Sequence, residues 1–181
     1  MESEKITAKS LVDKAYDYAY FCHYKTNHTY DGHPYLYHLK LAYSFAVKYV
    51  DKYFDTKVRE IILAATWAHD VIEDTRQTYN DVKRELGEEV AEIVYALTNE
   101  KGKTRAERAN NKYYDGIMNN EYAPFVKLCD RLANVKYGKD NASNKMLDRY
   151  RSEQPNFERH LSGALYRYPD MFAELNELLH K

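Results

Sequence analysis

The 181-residue sequence predicts an all-α bundle of about eight to ten helices. Apolar residues recur three and four positions apart through most of the chain, which is the period of a helix with one buried face. No segment sustains the alternation of a strand between turn signals. Proline, glycine and paired asparagines fall between the periodic stretches, where helices start and stop. The length fits one domain over 1–181, with 138–181 a C-terminal helical extension of it.

Taken in order, Ile6 to about Lys25 reads as a helix, with Leu11, Ala15, Tyr18 and Cys22 on one face. Thr26 to Gly32 is a loop by composition and ends in a turn-forming Asp31-Gly32. A second helix is expected from near Pro34 to about Tyr53, because proline is tolerated in a first turn. Asp55 and Thr56 offer a cap for the central helix, which is expected to continue as far as Thr75. Short helices follow at about Asn80 to Leu86 and at Glu88 to Thr98, broken by Gly87. After a basic loop, Arg105 to Met118 reads as one polar, exposed helix. Pro124 opens Phe125 to about Tyr137. The tail reads as Asn144 to Arg151, Asn156 to Tyr166 and Pro169 to His180, separated at Pro155 and Pro169.

Composition narrows the function. A formal net charge of −1 gives no electrostatic case for a nucleic-acid polymer. No apolar run reaches membrane-spanning length, and the opening Met-Glu-Ser-Glu-Lys lacks the basic and apolar parts of a signal peptide. Cys22 and Cys129 form neither a disulfide framework nor a Cys-x-x-Cys zinc pair. A cytoplasmic location is the expectation, with homo-oligomerisation left open.

Chemistry concentrates where the central helix ends. Ile61 to Ala68 reads as a helix surrounded by other helices, and His69, Asp70, Glu73 and Asp74 follow it directly. Residues four apart share a helical face, so His69 lies over Glu73 and Asp70 over Asp74. A solvated acidic cap would leave these carboxylates in water. A divalent cation would offset their repulsion if they are buried. Phe125 to Tyr137 carries a second signal. Lys127, Asp130, Arg131 and Asn134 make one polar stripe on an otherwise apolar helix, facing either solvent or a cleft. His38, or equally His33 on composition, could add an imidazole. His38, His69, Asp70 and Asp130 together form a nitrogen and oxygen donor set suited to Mn²⁺ or Fe²⁺, with Zn²⁺ and Co²⁺ as alternatives.

These segments resemble the HD-domain metal-dependent phosphohydrolases, and among them the hydrolase domain of RelA/SpoT enzymes and their single-domain small relatives. The resemblance rests on His33-Pro34-Tyr35-Leu36-Tyr37-His38, on His69-Asp70-Val71-Ile72-Glu73-Asp74-Thr75, and on Val126 through Asn134 with its Lys-x-x-Asp-Arg-x-x-Asn spacing. It covers roughly Ala15 to Tyr137. It implies a compact HD-domain bundle with His38, His69, Asp70 and Asp130 as metal ligands and manganese as the leading ion. It also implies that Glu73 and Asp74 position or activate water, that Lys127 and Asn134 lie near the phosphates and ribose, and that Arg131 supports the site. The implied reaction removes the 3′-pyrophosphate of a (p)ppGpp-like alarmone nucleotide, releasing pyrophosphate. Alternatives are a phosphatase on another nucleotide or a dinucleotide such as NADPH, and a nucleotide-binding regulator with vestigial catalysis. Two features depart from the family. The loop that carries Arg-Lys there reads Thr29-Tyr30 here, and a small Thr is replaced by Tyr137. Base recognition is therefore expected to differ, with Tyr30 or His28 available to stack on a base.

Overall fold

The computed structural model describes residues 9–141 and 143–180, which form twelve helices and a two-stranded ribbon. Ten helices have six residues or more: α1 (Leu11–Lys25), α2 (Leu36–Tyr53), α3 (Thr56–Ala68), α5 (Tyr79–Leu86), α6 (Glu88–Leu97), α8 (Asn111–Asn119), α9 (Ala123–Asp140), α10 (Asn144–His160), α11 (Ser162–Arg167) and α12 (Pro169–His180). The other two, α4 (Val71–Asp74) and α7 (Arg105–Arg108), are single turns.

Helix α3 is the hub. Every residue from Ile61 to Ala68 is buried, because α1, α2, α6 and α9 all pack on it. Helix α9 is the second pillar, bearing on α2, α10 and α12, and the largest fully buried side chains include Phe125, Leu128 and Leu132 from it. Its start is set by Pro124 in the first turn. Asp55 caps α3 by accepting from the backbone of Lys57 and Val58, both at 3.0 Å. Thr78 and Asp81 close a capping box on α5.

Six expectations change. Helix α1 begins at Leu11 behind its Ser10 cap, and the stretch from Ile6 to Ala8 lies outside the described residues. The expected loop before α2 contains a ribbon, β1 (Thr29–Tyr30) against β2 (His33–Pro34), with Tyr30 opposite His33. Asp31 and Gly32 both take positive φ, 49° and 83°, the backbone of a two-residue hairpin turn with matching twist. Pro34 therefore ends a strand, and α2 starts only at Leu36.

The central helix is also shorter than its apolar run implied. It stops at Ala68, His69 and Asp70 make a turn, and α4 follows, although Asp74 N–H still donates to the Asp70 carbonyl at 2.9 Å. The polar segment from Arg105 divides into α7 and α8, because the Asn110 side chain accepts from Tyr113 N–H at 3.1 Å and starts a new helix. Tyr113, Tyr114 and Ile117 are buried on α8, so that helix is not an exposed one. Pro155 lies inside α10 rather than between two helices. Leu147, Tyr150, Gln154 and Phe157 form one buried face that runs past it, and this burial outweighs the roughly 3 kcal/mol cost of an interior proline.

Candidate metal centre and cleft

The turn after α3 aims His69 and Asp70 at α2 and α9. His38 Nε2 lies 3.3 Å from His69 Nε2, 3.2 Å from Asp130 Oδ1 and 3.5 Å from Asp70 Oδ2. His69 Nε2 lies 2.9 Å from Asp70 Oδ2 and 3.8 Å from Asp130 Oδ1. Among the described residues, His38, His69 and Asp130 each offer one ligand atom within 4.8 Å of the others, and could hold a metal ion. The chemistry of the set fits such an ion. His69 Nδ1 faces the Thr66 carbonyl at 2.8 Å, so its proton sits there and Nε2 presents a lone pair inward. The imidazoles are almost wholly buried, with His38 1% exposed, yet their Nε2 atoms face each other and two carboxylates. Such an arrangement needs positive charge at its centre. Protons supply it when no cation does. Burial opposes the charged imidazoles, but Asp130 and Asp70 more than offset it and raise both histidines. Burial likewise opposes the carboxylates. The charge of His69 holds Asp70 well below its usual range, and that of Lys127 does the same for Asp130. His33, the other histidine that composition allowed, is exposed on the ribbon and stacks on Tyr37.

Asp130 also belongs to a cleft of about 870 Å³ that opens over the α9 stripe. Lys127, Arg131 and Asn134 line it beside Glu73, so the stripe faces a cavity and not bulk solvent. Cations prevail on its walls. Arg105, Arg108, Lys112, Lys127, Arg131 and Arg159 stand against Glu73, Asp130 and Glu153, in a chain whose net charge is −1. Such a lining suits an anionic ligand with several phosphates.

Each stripe residue has a distinct partner. Lys127 Nζ lies 2.9 Å from Asp130 Oδ2 and over the Tyr113 ring. Asn134 donates to Asp130 Oδ1 at 2.6 Å and accepts from the Tyr30 hydroxyl at 2.8 Å. Arg131 is engaged by the protein itself. It is 5% exposed, bonds Glu153 at 2.9 Å and the Tyr150 carbonyl at 3.0 Å, and lies over the Tyr150 and Phe157 rings.

The acidic pair divides. Glu73 does not stack beneath His69; it enters the cleft and accepts from the side chain and the backbone N–H of Asn99, the latter at 3.3 Å. Burial and the charge of Asp70 raise its pKa. Asp74 lines a separate cleft with Thr75 and Gln77, and stands 3.8 Å from His28 Nδ1. Burial, then Asp70 and Glu73, push Asp74 up to about 7.

Tyr30 and Tyr137 are not free to meet a base. Tyr30 stacks on His38 at 4.9 Å and packs edge-on to Tyr137 at 4.8 Å. Tyr137 is buried and donates to Asp31 Oδ2 at 2.7 Å, bracing the hairpin turn. Asn99, Arg105, Tyr150 and Glu153 complete the cleft but carried no motif. Arg105, a cation just beyond a Gly-containing loop, had the one available signal.

No family model matches the chain. The guanosine-3′,5′-bis(diphosphate) 3′-pyrophosphohydrolase of Aquifex aeolicus is 36% identical over 130 residues, which is 69% of this chain and 17% of that protein. The enzyme of that name called MESH1 in Drosophila melanogaster is 31% identical over 77 residues, 42% of this chain and 43% of that protein. The chain thus spans less than half the length of these curated relatives. A solved structure described as a metazoan ortholog of SpoT that hydrolyses ppGpp superposes with a TM-score of 0.72 at 20% identity, covering 95% of each chain. The fold is the all-α HD-domain bundle, and in sequence the chain is similar to the guanosine-3′,5′-bis(diphosphate) 3′-pyrophosphohydrolases.

Proposed function

We propose that this chain is a metal-dependent phosphohydrolase that removes the 3′-pyrophosphate of a (p)ppGpp-like alarmone and releases pyrophosphate. The observation that carries the reading is the shared position of Asp130, which belongs both to the donor cluster with His38 and His69 and to the cation-lined cleft. The names of the curated relatives support the substrate class.

In this reading His38, His69, Asp70 and Asp130 hold one divalent ion, Mn²⁺ in the first instance, with Fe²⁺, Zn²⁺ or Co²⁺ as alternatives. Such an ion polarises a phosphoryl oxygen and lowers the pKa of water. Lys127, at the cleft wall, attracts the phosphates, and the Asn134 amide is within reach of sugar or phosphate oxygens. Glu73 accepts the proton of the attacking water, whose oxygen bonds to phosphorus while the bond to the ribose 3′-oxygen breaks and that oxygen takes a proton from solvent to leave as the 3′-hydroxyl. Asp74, with its raised pKa, can hold a proton near neutral pH. Arg131 orders the α9 and α10 walls through Glu153. The packing of α10 and α12 on α9, with Glu153 at the cleft, supports reading the C-terminal helices as an extension of the same domain.

A second reading, hydrolysis of another nucleotide or a dinucleotide, draws on one observation. The hairpin presents Thr29 without a cation, and Tyr30 is committed to Asn134. The deciding experiment incubates Mn²⁺-loaded protein with ppGpp, pppGpp, ppApp, NADPH and ordinary nucleotides, with metal analysis of the same sample. Pyrophosphate release from a guanosine alarmone is the expected result. Orthophosphate from NADPH would select the second reading, and binding without turnover would reject both.

A further inference from the structure

Tyr35 takes part in neither the donor cluster nor the cleft over α9, yet it touches two of the three chain segments that carry the donors. Its backbone carbonyl accepts from His38 N–H at 3.0 Å and Leu39 N–H at 3.3 Å at the start of α2. Its hydroxyl donates to Asp70 Oδ2. That oxygen is the one 2.9 Å from His69 Nε2 and 3.5 Å from His38 Nε2. The last torsion of an aspartate is broad and weakly held, so a carboxylate keeps one oxygen on target only if something fixes it.

The Tyr35 ring is itself supported. It stacks on His23, at 4.4 Å and 23°, and on His28, at 3.9 Å and 17°, two neighbouring imidazoles whose centroids are 5.2 Å apart. The two imidazoles meet Nδ1 to Nδ1 at 3.0 Å. His23 Nε2 is buried without a partner, and a bare nitrogen is less costly there than an unsatisfied N–H. The proton therefore sits on His23 Nδ1 and is donated to His28. Only 8% of Tyr35 is exposed, so it is not placed to meet a substrate.

We propose that Tyr35 is a positioning residue for metal binding, its phenol holding the Asp70 carboxylate where Oδ2 faces both imidazoles, and the His23–His28 pair holding the phenol. This rests on the reading of Asp70 as a ligand. Tyr35→Phe keeps the stacked ring and removes only the hydroxyl. Mn²⁺ affinity by calorimetry and the visible absorption of Co²⁺-loaded protein read the site without turnover. The Mn²⁺ dissociation constant is expected to rise about 10–100-fold, as for other groups that orient a ligand, with altered Co²⁺ bands at saturation. A merely structural tyrosine would lower the thermal midpoint and leave affinity and bands alone, and that result overturns the proposal. Should Tyr35→Phe not fold, His28→Leu removes one of the two imidazoles stacked on the ring, at a partly exposed position. It is expected to weaken Mn²⁺ binding less than Tyr35→Phe would, and unchanged affinity overturns the proposal. Wild-type protein that takes up neither Mn²⁺ nor Co²⁺ would instead overturn the function proposed above, and this one with it.

Discussion

The Tyr30 hydroxyl donates to Asn134 Oδ1 at 2.8 Å, joining residues 104 positions apart. The bond ties the hairpin to α9, and the stack of Tyr30 on His38 ties it to α2. In place of a cation, the hairpin thus contributes an aromatic strut to the wall of the donor cluster. It leaves the Asn134 amide nitrogen on Asp130 and fixes the direction of the whole side chain.

Tyr30→Phe should therefore cost about 1 kcal/mol of unfolding free energy, the net value of one hydrogen bond. With Asn134 less well held, the KM for a nucleotide substrate should rise a few-fold while kcat changes little. Tyr30→Lys, which brings in a cation, should cost more because it also removes the ring from His38. Denaturant unfolding and steady-state kinetics check both. A Lys variant as stable as wild type would show that the strut holds nothing.

Arg131 should register in stability and not in substrate affinity. It is buried, and its guanidinium bonds Glu153 and the Tyr150 carbonyl and lies over two aromatic faces. Arg131→Met leaves Glu153 with Arg105 alone, at 2.8 Å. Glu153 is partly exposed, which discounts the loss from that of a fully buried pair to about 2–3 kcal/mol. A lowered urea midpoint with a nearly unchanged KM is the expected pattern. A raised KM at unchanged stability would return Arg131 to the substrate.

Glu73→Gln separates holding a metal from moving a proton. The glutamine keeps the shape and can still bond Asn99, and Glu73 is not among the donors around His38 and His69. Metal content should stay at the wild-type level while kcat falls about 10²–10⁴-fold, the range for a lost general base. Normal turnover would give the proton to another group, with Asp74 next in line.

Much of this arrangement was legible in the sequence because its signals are local. The nearly all-apolar run from Ile61 to Ala68 announces a central helix, and the stripe at Lys127, Asp130, Arg131 and Asn134 stands out on its helix with Lys136 the one other charged position between Phe125 and Tyr137. Side-chain partners across the fold were not legible. Nothing near Glu153 marks it as the anchor of Arg131, and nothing in Thr29-Tyr30 says that the ring turns inward to Asn134. The hairpin was missed because each strand is only two residues long, too short for any alternation to register. Pro155 misled because local propensity lost to a buried face that continues on both sides of it.

The imidazole pair stacked on Tyr35 should also shape the response to acid. Burial lowers the pKa of His23 from its ordinary 6.5 to about 4, so the residue is neutral in the folded protein down to mildly acidic pH. Between those two values the unfolded chain binds the extra proton, and stability therefore rises with pH across the window. The contribution is fully present above the unfolded value and is lost as pH falls toward the folded one. Between about pH 7.5 and about pH 5 this one group should remove about 2 kcal/mol. His23→Phe keeps a ring against Tyr35 and cannot titrate. Urea unfolding of metal-free protein at both pH values should show a smaller acid loss for the variant than for wild type, by about that amount. Equal losses would mean that His23 is already protonated in the fold, and that the proton between it and His28 is not the single shared one that the orphaned Nε2 implies.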